Sequence, residues 1–329
     1  MKTLLLNRID VARSLDIDEV IAGVRRGYID YRKNNVDQPQ IVSIAMPKRR
    51  AECDLKCCYN SGNDTLSIKV AALYSDNGTI NNLPHMMGTV LLFDTTDGNI
   101  LSIMEGGLIT GVRTGAAGAI SCDLLARKDA HIVAVLGAGE QARMQVRALK
   151  RIRDITQIRV YSEFSAELSA YKCEIEDELG IGVAICNSVS DAMKHADIAV
   201  STTPATKYIV SSDLIRPGMH IVAVGADDIG KNEWDPKVFS KADMIICDSI
   251  SQCIERGETR NALEAGVIRP CDITGEIGEI LTGEKNGRTS PEEITIFDTT
   301  GMGVQDNVTA LKVYQKALQN GYGAEFKFI

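Results

Sequence analysis

The sequence predicts an α/β protein of two domains, in which an α+β domain precedes a doubly wound parallel sheet. Three observations carry this prediction. Strand-like and helical segments alternate from about residue 121 to residue 306, which is typical of a parallel sheet covered by helices. Before residue 120, strand-like segments follow one another with only turns between them. A glycine-rich turn, Gly137–Ala142, joins an apolar strand to a helix at the start of the alternating part.

The first domain, residues 1–120, is predicted to be a helix packed on a largely antiparallel sheet. Its helix spans Asp16–Lys33, where apolar residues at helical spacing form one stripe. Turn signals rich in Asn, Asp and Gly separate the strand candidates. These strands are Ile41–Ala45, Cys53–Tyr59, Leu66–Leu73, Thr89–Phe93 and Ile100–Met104.

The second domain, residues 121–306, contains the alternating segments, and Ile109–Ala126 is predicted to be the helix that connects the two domains. The strand candidates of the second domain are 131–136, 158–161, 182–186, 198–202, 220–224, 244–247 and 294–298. Helical sequence from Asp306 to Gln319 is expected to return to the first domain with the rest of residues 307–329.

The composition indicates a soluble enzyme. The chain has 329 residues, enough for two domains with large cores. Its 36 basic and 44 acidic residues give a net charge of −8, which argues against a nucleic-acid-binding protein. No apolar run is long enough to span a membrane, and charge comes too early for a signal peptide. The nine scattered cysteines indicate reduced thiols in the cytoplasm, and no His/Cys grouping has the spacing of a metal site.

Residues 131–142 read HIVAVLGAGEQA, which is the G-x-G-x-x-A form of the dinucleotide-binding fingerprint. Gly137 permits the tight turn, Gly139 lets backbone N–H groups approach a pyrophosphate, and Ala142 lets the helix pack on the strand. Such a turn can need glycines for shape alone, but here the strand and helix context favours a phosphate site at the helix N-terminus. The segment predicts a Rossmann-type domain. Its predicted cofactor-binding residues are Gly137, Gly139, Glu140 and Gln141.

The choice of cofactor depends on Glu163, which follows the second strand candidate of this domain. A carboxylate at the end of this strand can accept hydrogen bonds from the adenosine ribose and would repel a 2′-phosphate. Glu163 therefore predicts NAD rather than NADP, the alternative being a solvated loop carboxylate. Arg159 is close in sequence, but strand alternation is expected to turn it elsewhere.

The domain order and several motifs resemble the ornithine cyclodeaminase and mu-crystallin family, over about Gln38 to Tyr314. The motifs are Ser67–Val70, Glu105–Thr110, Val112–Ala117, Gly137–Ala142, Gly225–Glu233 and Gly301–Asp306. The resemblance implies a homodimer built through the N-terminal sheet, so the first domain is expected to serve substrate binding and dimerisation. It also implies a range of activities: cyclodeamination of ornithine or lysine, alanine dehydrogenation, reduction of imino acids or cyclic imines, and hormone binding by a crystallin.

The resemblance also assigns roles to three residues of the first domain or its connecting helix. Lys69 lies in an alternating strand and matches the family lysine that contacts the substrate carboxylate and polarises the imine carbon; on its own it could be a solvated sheet position. Arg113 opens a run of small residues, and its guanidinium suits a carboxylate, although an interdomain ion pair is the alternative. Thr114 is expected near a cofactor phosphate.

Asp227 follows an apolar strand at its carboxyl end, where ligands bind in open α/β sheets. The resemblance matches it to the catalytic acid of the cyclodeaminases, with Asp228 as the alternative if the loop turns differently. Lys231 is expected to pair with one of these carboxylates or to face the cofactor. Asp306 could be a helix N-cap, but the family places its matching aspartate near the substrate pocket.

One departure from the family concerns the substrate. The family usually reads Q-P-x-R where this chain has Gln38-Pro39-Gln40-Ile41, and that arginine normally helps to bind the substrate carboxylate. Ile41 cannot do so. Basic residues seven to nine positions further on could supply a charge or form a solvated turn; they are Lys48, Arg49 and Arg50.

The resulting hypothesis is hydride transfer between C4 of a nicotinamide and the α-carbon of a small amino or imino acid. Lys69 and Arg113 would bind the substrate, and Asp227 would exchange a proton with its nitrogen. A substrate with a distal amine would cyclise with loss of ammonia, as in ornithine cyclodeaminase. Without one, the enzyme would be an amino-acid dehydrogenase or imine reductase. A crystallin-like ligand-binding protein is the alternative outside enzymes.

Overall fold

The computed structural model describes residues 2–328, apart from the side chain of Thr79. The chain divides into two compact units. Unit 1 comprises Met1–Arg113 and Met302–Ile329, and unit 2 comprises Thr114–Gly301.

Unit 1 is built on a mixed sheet of eight strands in the order β16-β1-β7-β6-β5-β4-β2, with β3 paired to β4. The strands are β1 Thr3–Leu6, β2 Val36–Asp37, β3 Val42–Met46, β4 Ala51–Asn60, β5 Thr65–Tyr74, β6 Met86–Asp94, β7 Ile100–Glu105 and β16 Ala324–Phe326. Strands β4 to β7 are antiparallel, as the sequence predicts, and β1 is parallel to β7. Strands β1, β2 and β16 are not predicted from the sequence, because two to four residues are too few to show alternation.

The helices of unit 1 cover one face of this sheet. They are α1 Arg8–Ser14, α2 Ile17–Arg32 and α10 Gly303–Asn320, together with the start of α3 Gly106–Leu125. The Asp16 side chain accepts hydrogen bonds from the first turn of α2, which fixes where that helix begins. Helix α10 packs on α2 and on β4, β5 and β6. The sheet face under α10 is therefore the buried face of unit 1.

Unit 2 contains a fully parallel sheet in the order β10-β9-β8-β11-β12-β15-β13-β14. The strands are β8 Ile132–Leu136, β9 Gln157–Tyr161, β10 Gly182–Ile185, β11 Ile198–Ser201, β12 His220–Ala223, β13 Met244–Cys247, β14 Gly275–Glu276 and β15 Thr295–Asp298. The sheet grows in both directions from β8, so its strand order reverses between β8 and β11. This is the predicted doubly wound architecture, in which ligands bind at the reversal.

The helices of unit 2 connect these strands. They are α4 Glu140–Ile152, α5 Ser165–Leu179, α6 Val189–Met193, α7 Ile250–Arg256, α8 Glu258–Glu264 and α9 Ile277–Leu281, with the end of α3. Trp234, Phe239 and Phe297 are among the largest side chains buried in this unit. Within residues 2–328 there is no helix with both the length and the apolar character needed to cross a membrane.

Candidate active site

The most concentrated charge in unit 1 is a buried cluster around Asp306. Lys69 Nζ lies 2.7 Å from one carboxylate oxygen of Asp306, and Arg113 Nε lies 3.1 Å from the other. The three side chains are 1–5% exposed. Two of them are cations and one is a carboxylate, so the cluster carries one more positive than negative charge. Such a site is suited to a small carboxylate ligand.

Three elements bring this cluster together. Alternation in β5 places Ser67, Lys69 and Ala71 on one face, as predicted, and this face is the buried one, so Lys69 is not a solvated sheet position. Helix α3 carries Arg113. Helix α10 begins close to β4, as the distance at Gly303 shows. A Cβ added there would lie only 2.8 Å from the Cys57 carbonyl oxygen. Only glycine fits this close approach, which sets the first turn of α10 against the sheet.

The expectation that Asp306 could be an N-cap is wrong. The N-cap of α10 is Met302, and Asp306 lies in the first turn of the helix. Its carboxylate accepts a hydrogen bond from Arg113 Nε and forms an ion pair with Lys69. The physical reason is the glycine-permitted close start of α10, which begins the helix at Gly303, three residues before Asp306.

A neighbouring glutamine holds the Arg113 guanidinium in place. Gln305 Oε1 accepts hydrogen bonds from Arg113 Nη1 at 2.8 Å and from the Met302 N–H at 2.8 Å. Gln305 Nε2 donates to the Tyr28 hydroxyl at 2.6 Å. Since one oxygen accepts two bonds and the amide nitrogen is also bound, Gln305 fixes the plane of the guanidinium.

The cluster shifts the pKa of two of its members. Burial and the neighbouring Arg113 lower the pKa of Lys69 to about 7, although Asp306 opposes the shift. Burial alone would raise the pKa of Asp306, but Arg113 and Lys69 reverse this effect and lower it. Asp306 is therefore ionised, and Lys69 can change its protonation state near neutral pH.

Sequence reasoning missed four side chains of this region: Lys56, Gln305, Tyr28 and Thr110. Lys56 is directly opposite Lys69 in the β4–β5 pair and is buried with it. Thr110 Oγ1 accepts from Lys69 Nζ at 3.3 Å. Lys56 could have been found by pairing the two predicted strands through the Ser61–Asp64 turn, because the register follows from the turn.

The basic residues suggested as substitutes for the missing arginine lie elsewhere. Lys48 and Arg49 are on an exposed 3₁₀ turn, and Arg50, also exposed, pairs with Asp76 at 2.9 Å. Their exposure fits the alternative reading of a solvated basic turn.

In unit 2, the glycine turn after β8 fits the phosphates of a dinucleotide. Gly137 has a φ of 102°, which is the left-handed region that favours glycine. The place where a Cβ would stand on Gly139 is open, with no atom of the described residues within 4 Å. Gly139 is the N-cap of α4 and supplies no capping side chain, and the buried Oε1 of Gln141 accepts no hydrogen bond from residues 2–328. Open space and an uncapped helix start suit an anionic ligand, whereas the Gln141 oxygen is an acceptor and needs a donor such as a hydroxyl.

Two further predicted cofactor residues also lie in unit 2. Glu163 follows the end of β9 with an exposed side chain, so its carboxylate is accessible to a ribose. Arg159 turns away, as expected, and donates to the Asp191 carbonyl at 2.7 Å. Thr114 is buried in α3, and its carbonyl accepts from Gln145 Nε2 at 2.9 Å.

The loop after β12 separates its two neighbouring aspartates. Lys231 Nζ lies 2.5 Å from Asp227, whose side chain is 44% exposed. Asp228 is 23% exposed and faces the buried Arg256 at 3.7 Å. Asp227 is thus the more accessible carboxylate, and Lys231 pairs with it.

Glu233 ends the same loop as a buried structural carboxylate. Its oxygens accept from the Ser201 and Thr203 hydroxyls at 2.6 and 2.7 Å and from the Gly225 N–H at 2.9 Å. Burial raises its pKa. Burial also raises the pKa of Glu258 to about 8 and that of Asp298 to about 7. These carboxyls tie strands and loops of unit 2 together.

Comparison with known proteins places the chain in a family. The model of the ornithine cyclodeaminase/mu-crystallin family matches residues 1–321. The chain belongs to this family. The predicted resemblance is confirmed, and the motifs that carried it all fall within the matched residues.

Three relatives illustrate the ornithine cyclodeaminase/mu-crystallin family. An uncharacterised cyclodeaminase from Sinorhizobium fredii is 35% identical over 295 residues, 89% of each chain. The Δ¹-pyrroline-2-carboxylate reductase of Thermococcus litoralis, solved with NADH and L-proline, has a TM-score of 0.95 and 32% identity over 98% of this chain and 99% of its own. An archaeal alanine dehydrogenase dimer with bound NAD has a TM-score of 0.94 and 32% identity over 100% of both chains. These structures confirm the predicted α/β fold.

Proposed function

We propose that this protein is an NAD-dependent oxidoreductase that acts at the α-carbon of a small amino or imino acid. The observation that carries the proposal is the buried Lys69–Arg113–Asp306 cluster, which has the excess positive charge needed to bind the carboxylate of such a substrate. The solved relatives contain NAD or NADH, and one also contains L-proline. A family member with this cluster and the glycine turn is thus an enzyme with an amino or imino acid as its substrate.

NAD is the cofactor that the residues of unit 2 fit. Gly137, Gly139 and the N-terminus of α4 would hold its pyrophosphate, with Gln141 beside them, and Glu163 would accept from the adenosine ribose. Thr114 and Glu140 are proposed as further contacts. Bound nicotinamide supplies hydride transfer.

The roles of the protein's own residues follow from their chemistry. Lys69 and Arg113 would bind and orient the substrate carboxylate, and Asp306 would hold these two cations in place between turnovers. Because its pKa is about 7, Lys69 can also move a proton near neutral pH. Asp227, the more exposed carboxylate of its loop, would exchange a proton with the substrate nitrogen. Lys231 would pair with Asp227.

Two reactions of the family remain candidates for this chain. A dehydrogenase or imine reductase gains or loses NADH with each turnover. A cyclodeaminase releases ammonia and returns its cofactor to the starting state. The relatives include both kinds, so the proposed activity is dehydrogenation or imine reduction, with cyclodeamination as the second candidate. A ligand-binding crystallin is less favoured, because it needs no exposed carboxylate at Asp227.

The proposed assembly is a homodimer through the sheet of unit 1. The outer face of β5 and β6 carries apolar side chains that are partly exposed in the single chain; they are Leu66, Ile68, Val70, Leu91 and Phe93. A partner surface is the usual cover for such a face. The archaeal alanine dehydrogenase relative is a dimer. The nine unpaired cysteines suit the reducing cytoplasm, the proposed compartment. Light scattering measures the assembly.

The experiment that tests the function is a substrate screen. The purified protein is mixed with NAD and a panel of amino acids, or with NADH and cyclic imines, while NADH absorbance and ammonia are followed. Ammonia with net NADH means a dehydrogenase, loss of NADH with an imine means a reductase, and ammonia without net NADH means a cyclodeaminase. If NAD binds and none of these compounds reacts, the proposed function is wrong.

A further inference from the structure

Arg143 lies on α4, one turn after the glycine turn, and its side chain reaches back to that turn. Its Nη1 donates hydrogen bonds to the carbonyl oxygens of Ala138 and Gly139, the latter at 3.2 Å. The backbone N–H of Arg143 also donates to the Gly139 carbonyl, at 3.3 Å. Because the Cα–Cβ bonds of a helix tilt toward its N-terminus, a side chain at this position lies over the preceding turn. Arg143 therefore holds both carbonyls on its own side of the glycine turn.

The Arg143 guanidinium is itself fixed by α5. Its Nε donates to Glu174 Oε2 at 2.7 Å, and its central carbon lies 5.2 Å from the centroid of the Tyr171 ring. A guanidinium presents its N–H groups in a rigid plane, so one edge can bind a carboxylate while another binds carbonyls. Since the charge of Arg143 is paired with that of Glu174, this side chain is suited to orienting the turn rather than to attracting an anion.

The two carbonyls determine the direction of the groups that would meet a phosphate. In a planar trans peptide unit the C=O and N–H bonds point to opposite sides. The Ala138 carbonyl shares its peptide unit with the Gly139 N–H, so this N–H points away from Arg143. Among residues 2–328 the Gly139 N–H has no acceptor. The Gly139 carbonyl is that of the N-cap, so holding it also fixes where α4 begins.

We propose that Arg143 is a positioning residue that orients the Gly139 N–H and the start of α4 toward the pyrophosphate of NAD. The proposal rests on the proposed function, because it assumes that the pyrophosphate binds at the glycine turn. Arg143 acts through the backbone and does not contact the cofactor. Without its side chain, the peptide unit between Ala138 and Gly139 can rotate, and binding of the pyrophosphate must then pay the entropy of ordering it.

The test measures binding by calorimetric titration of the full chain with NAD and with ADP-ribose, which has the pyrophosphate but no nicotinamide. Wild type is compared with Arg143→Met and with the charge-keeping Arg143→Lys. The matched control is Arg147→Met. Arg147 also lies on α4 and also donates to Glu174, at 2.6 Å, but its other carboxylate partner is Glu178 on α5. The melting temperature of each variant shows whether it is folded.

We expect Arg143→Met to weaken the binding of NAD and of ADP-ribose equally, by at least about tenfold, because hydrogen bonds from a charged donor are the strong ones. Arg143→Lys should lose nearly as much, since a single ammonium group cannot span Glu174 and two carbonyls as a guanidinium does. Arg147→Met should stay within about twofold of wild type, because it loses a comparable ion pair but no contact with the glycine turn. In steady-state kinetics, the Arg143 variants should raise KM for NAD and keep kcat at saturating NAD.

Three results would overturn the positioning role. Wild-type affinity in folded Arg143→Met would show that the turn needs no support, and wild-type affinity in Arg143→Lys would show that positive charge alone suffices. An equal loss in Arg147→Met would show that the effect belongs to the packing of α4 on α5. Should Arg143→Met misfold, the comparison of Arg143→Lys with Arg147→Met decides alone. A wild type that binds neither NAD nor ADP-ribose would instead refute the proposed cofactor site.

Discussion

Each unit contains a buried charged cluster, and the two clusters are compensated in different ways. In unit 1, Asp306 is surrounded by cations, and its pKa and that of Lys69 are both lowered. In unit 2, Glu233 is satisfied by hydroxyl and N–H donors of the protein, and burial raises its pKa. The first cluster has cationic groups suited to an anion from outside, whereas the second is complete within the fold. A buried charge is therefore not enough to indicate a functional site. A buried cluster with an excess of one charge, such as the cationic cluster of unit 1, is the better indication.

The largest effect should follow from removing a cation of unit 1. Lys69→Ala and Arg113→Ala should each abolish most turnover, since each removes a cation proposed to bind the substrate carboxylate, and a hydrogen bond to a charged group contributes about 1.5–3 kcal/mol. NAD affinity should stay close to wild type, because the glycine turn belongs to unit 2. Steady-state kinetics and NAD titration measure the two effects. If folded variants of both residues lose NAD binding, they are cofactor ligands, and the contrast between the clusters fails.

The next effect concerns the loop of unit 2 that carries the predicted acid–base group. Asp227→Asn keeps the shape but removes the base, so kcat should fall about 10²–10⁴-fold with little change in NAD affinity. Asp228→Asn is the matched control and should lose less activity, because Asp228 faces Arg256. Wild-type activity in Asp227→Asn with an inactive Asp228→Asn would exchange the two roles. Full activity in both would remove the acid–base mechanism.

The same contrast explains what the sequence could predict. The strand alternation around Lys69 and the glycine turn at Gly137 are local patterns, and both predictions were correct in the structure. The partners of these residues are not local: Tyr28 meets Gln305 across 277 positions of sequence. The N-cap expectation for Asp306 was wrong, because the start of α10 depends on the contact of Gly303 with β4. Local periodicity predicts which face a residue occupies, but packing between elements decides what it meets there.

A smaller effect should appear in the pH dependence of local stability, with opposite signs in the two units. Asp298 has a pKa of about 7 against an ordinary value of 3.8, so between these pH values the native state holds a proton that the unfolded chain has lost. Stability contributed by Asp298 is therefore lost as pH rises through about 7, and that of Glu258 as pH rises through about 8. The pKa of Lys69 is lowered from 10.5 to about 7, so between these pH values the unfolded chain holds a proton that the native state has lost. The contribution of Lys69 to stability therefore grows as pH rises from about 7 to 10.5.

Hydrogen–deuterium exchange can measure these two trends separately, after correction of the data for the intrinsic exchange rate at each pH. Between pH 6 and 9, protection of β15 and α8 in unit 2 should fall, while protection of β5 in unit 1 should rise or fall less. Asp298→Asn should remove much of the decrease in unit 2, because the amide does not titrate. Parallel trends in both units would mean that the two clusters are compensated in the same way.

The smallest effect concerns Glu163, a predicted cofactor residue whose carboxylate is exposed rather than buried. Glu163 should favour NAD over NADP, because it can accept from the ribose hydroxyls and would repel a 2′-phosphate. Glu163→Arg should shift the relative affinity toward NADP by about 1–3 kcal/mol, the magnitude of a hydrogen bond to a charged group. Glu167→Arg, an exposed acidic residue on the first turn of α5, is the matched control and should change the preference little. Titration of each variant with both cofactors measures the shift. Equal affinity of the wild type for NAD and NADP would show that an exposed carboxylate at this strand end does not select the cofactor.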